Sequence, residues 1–417
     1  MKSKIHYHSH AAFFSGAENM ISVLLQSKEL QSKFTQSFSY RYSDAYYSGF
    51  KKRVINFKGK SYALRFMHLH SYEQLSIFIP IFFKRIIFFL INSVLVYPSL
   101  IYQVIVLSRL LTKIAPDILH VNNAGYPAAL SARAAVIAGR ISGVPKIIMV
   151  VNNMAVGYGH YSRWFDYPID RLISRYVNVF ITGSKSAAVQ LQDVLKLPLP
   201  QLQTIHNGIR LQDRASTIFD TRRRLELSDY TGITFGVVAL LIPRKGHQVL
   251  LDAILKLVKD KSLLGHEFKV LIEGDGPLRH ELMEFVTSRN LTPWVNFVGH
   301  EENITDFMSA LDVLIWPSIQ DEDFPNVVSE AMGLGKPVIA SRLAGTPEQV
   351  LEGETGLLIA PRDVAQLAAA ISQLIENADL RESMAHAALA RFNTHFASQI
   401  ALRNYNNLYT KLIEELK

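Results

Sequence analysis

The chain has 417 residues, long enough for two domains of ordinary size, and contains no cysteine, which excludes disulfide and thiolate chemistry and suits a reducing compartment. Its formal charge of +8 is unevenly shared: residues 1–200 carry 23 Lys+Arg against 8 Asp+Glu, and residues 201–417 carry 21 against 28. An anionic partner is therefore expected for the first half only; no nucleic-acid module is recognisable, and basic residues interleaved with apolar runs suit a membrane surface.

In chain order, the N-terminal run Met1-Lys-Ser-Lys-Ile-His-Tyr-His-Ser-His lacks a signal peptide's apolar core, so secretion is not expected. Strands are predicted over 5–10, 117–122, 146–151, 177–182 and 202–206, with helices over 17–27, 127–141 and 185–195. Ile86 to Ser108 is a run of 23 uncharged residues, long enough to cross a bilayer. The strands on either side read as members of one sheet, however, and a single span would split them across the membrane. Segment 75–111, with Lys84-Arg85 near its start and Pro98 in its middle, is therefore expected as two helices that dip into the interface. Lys51, Lys52, Arg53, Lys58, Lys60 and Arg65 would supply the charge beside it. The alternative is a pair of helices buried against the sheet or a partner subunit.

The second half alternates more regularly. Strands are predicted over 233–240, 268–273, 295–298, 311–316, 337–341 and 356–360, separated by helical patterns, with a last such helix over 363–376. Such alternation implies right-handed parallel crossovers and a doubly wound sheet. Thr346-Pro347-Glu348-Gln349 reads as a helix start with Thr346 as the cap. Residues 386–417 read as helical, and no internal repeat is visible.

The most informative stretch is Asp321-Glu-Asp-Phe-Pro-Asn-Val-Val-Ser-Glu330, in which Glu322 and Glu330 stand eight positions apart across a Phe-Pro-Asn turn. It follows a predicted strand and opens a predicted helix, and ligands of open parallel sheets bind beyond the carboxyl ends of strands. A loop carboxylate there can accept sugar hydroxyls, and a second one turn into the helix can accept the two hydroxyls of a ribose. Glu322-x7-Glu330 with Phe324-Pro325-Asn326, followed by the strand Gly335-Lys-Pro-Val-Ile-Ala-Ser341, resembles the paired-glutamate signature of the retaining nucleotide-sugar glycosyltransferases of family 4.

That resemblance implies an α/β fold of the GT-B type: two Rossmann-like, doubly wound parallel-sheet domains facing a central cleft. His206-Asn207-Gly208-Ile209 is similar to the family's link into the second domain, which places the hinge at 206–212. The domains would be 1–206, binding the acceptor, and 207–385, binding the nucleotide sugar, with 386–417 crossing back onto the first. By resemblance Glu322 holds the donor sugar and Glu330 the ribose, while Phe324, Pro325 and Asn326 offer backbone groups to sugar and diphosphate. Pro243-Arg-Lys-Gly246 resembles the family's Lys-Gly motif, so Lys245 would bind the diphosphate. The family's usual arginine five or six residues earlier is replaced by Leu240 and Ala239, and Arg244 is the candidate substitute. Phe297-Val-Gly299 resembles the loop whose backbone pairs with the nucleobase, and Ser15-Gly16-Ala17-Glu18 resembles a Gly-Gly-Ala-Glu loop whose glycine lets backbone approach a phosphate.

On the acceptor side stand Asn122 and Asn123. Asn122 replaces the second histidine of the family's His-x-His, and an amide can hydrogen-bond a hydroxyl but cannot shuttle a proton. His120 reads as a structural strand-end histidine, Asp323 departs from the family's glycine, and His300 has no assigned task. No cluster at metal-ligand spacing is visible, and the resemblance implies no cofactor and no metal, the nucleoside-diphosphate sugar being a substrate. It further implies a lipid-linked saccharide acceptor, a cytoplasmic protein held peripherally on the inner membrane face, and a place in bacterial surface polysaccharide assembly such as that of lipopolysaccharide. A nucleotide-sugar epimerase or phosphorylase of the same fold, or a degenerate transferase acting as a membrane scaffold, remain alternatives.

Overall fold

The computed structural model describes residues 2–11, 13–14, 16–66, 81–159, 161–260 and 267–417. The chain falls into two compact units, residues 1–205 with 402–417 and residues 206–401.

The first unit is built on seven parallel strands: β1 (Lys4–Ser9), β2 (Thr35–Arg41), β3 (Lys60–Leu64), β4 (Ile118–Asn123), β5 (Lys146–Val151), β6 (Val179–Thr182) and β7 (Leu202–Thr204), in the order β3-β2-β1-β4-β5-β6-β7. Every residue of β4 is buried, as a parallel strand covered by helices on both faces must be. Two of these strands, β2 and β3, are additions to the five read from the sequence. The reason for β2 is its composition: Gln36, Ser37 and Ser39 are buried polar residues rather than apolar ones. They lie inside because Ser37 and Ser39 bond to His6 and His8, and Gln36 donates to the Tyr7 hydroxyl at 3.1 Å. Burying such groups is tolerable only when they are hydrogen-bonded.

Segment 75–111 also differs from its expected form. It contributes to one helix, Ile81–Ile114, which carries Pro98 in its interior instead of breaking into two. Proline removes one backbone bond and bends a helix, but burial of Leu100, Leu107 and Leu111 holds the C-terminal part against the first unit's core. Residues 67–80 and the side chains of 81–95 lie outside the described residues, and with them Lys84 and Arg85. Among the described residues no helix is long and apolar enough to cross a membrane.

The second unit has six parallel strands: β8 (Ile233–Val238), β9 (Phe268–Glu273), β10 (Val295–Gly299), β11 (Val313–Trp316), β12 (Val338–Ser341) and β13 (Gly356–Ile359), in the order β10-β9-β8-β11-β12-β13. All six were legible as short apolar runs. The last helical stretch is not continuous. Helix Ala378–Arg391 passes through a π-turn, Phe392–Phe396, before helix Ser398–Glu414 begins. Phe392 and Phe396 are buried in the second unit's core, at roughly 2 kcal/mol each, and so fix the turn there. The chain rejoins the first unit at Leu402 rather than at 386, where Tyr405, Tyr409 and Leu412 are buried.

In both sheets the strand order reverses beside the first strand. β1 lies between β2 and β4, and β8 between β9 and β11. The carboxyl ends of β1 and β4, and of β8 and β11, are thus the places where doubly wound sheets take ligands.

Candidate active site

In the second unit, two loops meet beyond β8 and β11. After β8 the chain makes a short 3-10 turn, Pro243–Lys245, closed by Gly246 at φ +72°. A side chain at Gly246 would place its Cβ 1.9 Å from the Pro317 carbonyl oxygen, so only glycine lets the loops approach this closely. The Arg244 carbonyl accepts from Ile319 N–H at 2.8 Å and from the Ser318 hydroxyl at 3.0 Å, stitching one loop to the other.

This stitching brings three of the expected residues onto one oxygen. Glu322 Oε1 accepts from Lys245 Nζ at 2.5 Å, from Arg244 Nη1, and from the Ser318 hydroxyl at 3.2 Å. Lys245 and Glu322 are nearly covered while Arg244 remains one-third exposed. The Lys245 ammonium also lies 4.2 Å from the centre of the Trp316 ring, a cation–π contact. Burial lowers the Lys245 pKa; Glu322 opposes that shift and Arg244 adds to it. The direction of Arg244, open from the sequence, is therefore settled: it stands beside Lys245 on the same Glu322 oxygen. Leu240 itself is exposed.

Phe324 is buried, stacked on His206 at 4.8 Å and 12° and set edge-on to Phe396 at 5.6 Å. Pro325 is the N-cap of helix Asn326–Gly333, and its carbonyl accepts from the buried Gln349 amide at 3.0 Å. Asn326 Oδ1 accepts from Asn207 at 3.3 Å, and Glu330, four residues on, lies half-buried on the same helical face. Thr346 is not the cap of its helix, as the sequence suggested. The helix Thr346–Gln349 has Gly345 at that position, because the Gly345 N–H is bonded to the Asp323 carbonyl at 3.0 Å. Gly299 ends β10, two strands from β8 and so about 10 Å away from it. It adopts φ +78°, and its carbonyl accepts from Gly274 N–H at 2.8 Å. Beside it, His300 Nδ1 meets the buried Glu273 carboxyl at 3.1 Å, which gives that histidine a partner.

At the first unit's reversal point, Ser9 ends β1 opposite Asn122 on β4. Gly16 opens a 3-10 turn whose last residue is Glu18; Ser15 lies outside the described residues. Glu18 is buried and accepts from the Ser9 hydroxyl at 2.9 Å and from Asn122 Nδ2 at 3.0 Å. Burial raises its pKa to about 7, the hydrogen bonds opposing the shift. Asn152 donates in turn to Asn122 Oδ1 at 3.0 Å. Asn123 serves its own loop, donating to the Gly125 carbonyl and accepting from Ala129 N–H at 3.0 Å. His120 is buried against the Tyr409 hydroxyl at 2.8 Å, and burial lowers its pKa to about 3. Glu18 closes the Ser15-Gly-Ala-Glu18 motif, but its bonds to Ser9 and Asn122, like the parts of Ser318 and Trp316 beside Lys245, follow from topology and not from any local pattern. Among the described residues no group of three or more His, Asp or Glu could hold a metal ion.

Two parallel-sheet units with ligand-ready reversal points, one lined by paired cations and a carboxylate, define a protein of the GT-B class. Over 99% of its length the chain superposes on 100% of Anabaena HepE in complex with UDP, with TM-score 0.76 at 19% identity, which shows that fold. The chain belongs to the group 1 glycosyltransferases: the family model described as Glycosyltransferase Family 4 matches residues 68–213, and Glycosyl transferases group 1 matches 232–377. It is 30% identical over 187 residues to an exopolysaccharide phosphotransferase of Streptomyces coelicolor, covering 45% of this chain and 19% of that one. It is also 30% identical over 205 residues to an uncharacterized glycosyltransferase of Methanocaldococcus jannaschii, covering 48% and 55%. The chain thus spans a fifth to about half the length of these two relatives.

Proposed function

We propose that the protein is a retaining, metal-independent family 4 glycosyltransferase that moves a sugar from a nucleoside diphosphate to a membrane-associated, lipid-linked saccharide. The observation that carries this reading is the convergence of Lys245 and Arg244 on Glu322 at the second unit's reversal point. Cleaving a sugar–diphosphate bond builds negative charge on the departing phosphate oxygen, and preorganised cations in a partly dry site stabilise that charge more than they stabilise the ground state. Lys245 and Arg244 take that role. Glu322, displaced from them by the incoming diphosphate, turns to the sugar hydroxyls, and Glu330 receives the ribose. The basic first half, with its apolar run, suits an acceptor held at the inner face of an anionic membrane, and the likeness to an exopolysaccharide phosphotransferase favours surface polysaccharide assembly.

A thermal-shift screen of UDP-, GDP- and ADP-sugars tests the reading, with UDP-sugars first because the fold neighbour HepE binds UDP. Ligand at 100 times its dissociation constant should stabilise the folded chain by about 2.7 kcal/mol. A melting point unmoved by every nucleotide sugar would remove the proposal.

A further inference from the structure

The N-terminal His-x-His-x-His run, which the function just proposed leaves unused, forms an unbroken line of hydrogen bonds through the first unit. His6 Nδ1 and Nε2 meet the hydroxyls of Ser37 and Ser39, each at 2.8 Å. His8 Nδ1 meets the same Ser39 at 2.9 Å, and its Nε2 meets Ser131 at 3.0 Å. His10 Nδ1 meets Ser131 at 2.6 Å, and Arg41 Nη1 donates to His10 Nε2 at 3.1 Å.

The arginine sets the direction of the whole line. Guanidinium can only donate, so His10 Nε2 is the acceptor and its proton sits on Nδ1. Ser131 accepts that proton's bond and donates to His8 Nε2. The same logic puts the His8 proton on Nδ1, the Ser39 hydroxyl proton toward His6, and the His6 proton on Nδ1 toward Ser37. Burial keeps His6 and His8 neutral, each with a pKa lowered to about 3. Every lone pair in the relay thus faces Arg41, which solvates the guanidinium with oriented dipoles instead of a carboxylate. Among the described residues Arg41 has no ion-pair partner, although it is half-buried. Asp44, three residues on in the chain, accepts from the Tyr42 hydroxyl at 2.8 Å, and Arg65 lies over the Tyr42 ring at 4.8 Å. A positive charge is therefore left at the carboxyl edge of the sheet, at the end of β2, where among the described residues the guanidinium bonds only His10 and can offer further N–H donors to a ligand.

We propose that Arg41, backed by His10 and the serine relay, binds a phosphate group of the acceptor. This rests on the transferase reading only in naming the ligand as the acceptor. The fork of guanidinium donors suits a phosphate oxygen pair, and charge-assisted bonds of this kind are among the strongest a protein makes.

The probe is inorganic pyrophosphate, titrated by calorimetry into the full chain carrying Lys245→Ala and Arg244→Gln, which removes both cations beside Glu322 in the second unit. Adding Arg41→Gln to that chain should weaken pyrophosphate binding by about tenfold or abolish one site. Identical isotherms overturn the proposal. Should Arg41→Gln fail to fold, the His10 ring nitrogens decide: a pyrophosphate-induced shift of their resonances in the chain carrying Lys245→Ala and Arg244→Gln upholds it, and no shift overturns it. Co-sedimentation with phosphatidylglycerol and phosphatidylcholine vesicles then separates the sources. If Arg41→Gln also loses phosphatidylglycerol binding, the phosphate is a lipid headgroup; if sedimentation is unchanged, it belongs to a soluble group, and the proposal stands in either case. Failure of nucleotide sugars to stabilise the chain would remove the transferase reading and leave the pyrophosphate result intact.

Discussion

The two units repeat one strand order and furnish its reversal point with opposite chemistry. In the second unit, Lys245 and Arg244 crowd a single carboxylate, Glu322, beside an indole ring. In the first, a buried carboxyl with a pKa near 7, Glu18, is held by a hydroxyl and an amide, with uncharged histidines lining the sheet behind. Topology selects where a ligand goes; the side chains select which ligand, and a shared fold carries no shared chemistry with it. A cation pair suits a diphosphate. Amides and a carboxyl that gains or loses its proton near neutrality suit hydroxyl groups.

The comparison is broken most sharply at the second unit. Lys245→Ala and Glu322→Ala should each lower transfer by on the order of 10³-fold, as removal of an electrostatic stabiliser does, with Glu330→Ala acting mainly on donor KM. Lys245→Ala should still fold, because Arg244 continues to pair with Glu322. Steady-state rates with a UDP-sugar and an acceptor extract measure this, and near-wild-type turnover in either variant would remove that residue from the site.

Next in size is the loop stitch itself. Gly246→Ala forces a Cβ into the Pro317 carbonyl and a strained φ, so the chain should lose at least about 2 kcal/mol of stability. Urea midpoints with and without nucleoside diphosphate report it; an unchanged midpoint would mean the loops are free to part.

Acidification separates the two units as well. Three buried histidines of the first unit, His6, His8 and His120, have folded pKa values near 3 against an unfolded 6.5. The unfolded chain binds more protons between those values, so stability falls as pH drops through 6.5, by roughly 1.4 kcal/mol per pH unit per group. Glu18 acts in the opposite sense: its folded pKa is raised to about 7, so its contribution is fullest below pH 4.5 and is lost as pH rises toward 7. One carboxyl cannot offset three histidines. Among the described residues the second unit buries His247, whose pKa is likewise lowered by burial. Hydrogen exchange at pH 5 and pH 7.5 should therefore show β1 and β2 loosening on acidification more than β8 and β11. Glu18→Gln should steepen that loss, since the opposing group is gone. Equal acid sensitivity in both units would contradict the buried relay.

How much of this was legible varies by region. The six strands of the second unit are short apolar runs between helical patterns, and the cue survives because both sheet faces are covered by hydrophobic side chains. Glu322, Glu330, Lys245 and the Phe-Pro-Asn turn stood out because spacing and local context mark them. β2 is hidden in the sequence because Gln36, Ser37 and Ser39 interrupt its apolar residues, polar side chains that look exposed until Tyr7, His6 and His8 of β1 satisfy them. The helix Ile81–Ile114 was read as two because Pro98 is a local breaker, whereas the packing that carries a helix through a proline comes from residues distant in the chain.

The sequence by itself determined the class of fold, the six-strand rhythm of residues 206–401 and the acidic and basic residues of the Glu322 turn, because periodicity and short motifs are local properties. Only the tertiary structure decided that Arg244 stands beside Lys245 on Glu322, that Glu18 and Asn122 form one hydrogen-bonded group, and that Arg41 is backed by a line of neutral dipoles. Each of these depends on atoms brought to hydrogen-bond distance by segments far apart in the chain, and no local pattern encodes such a meeting.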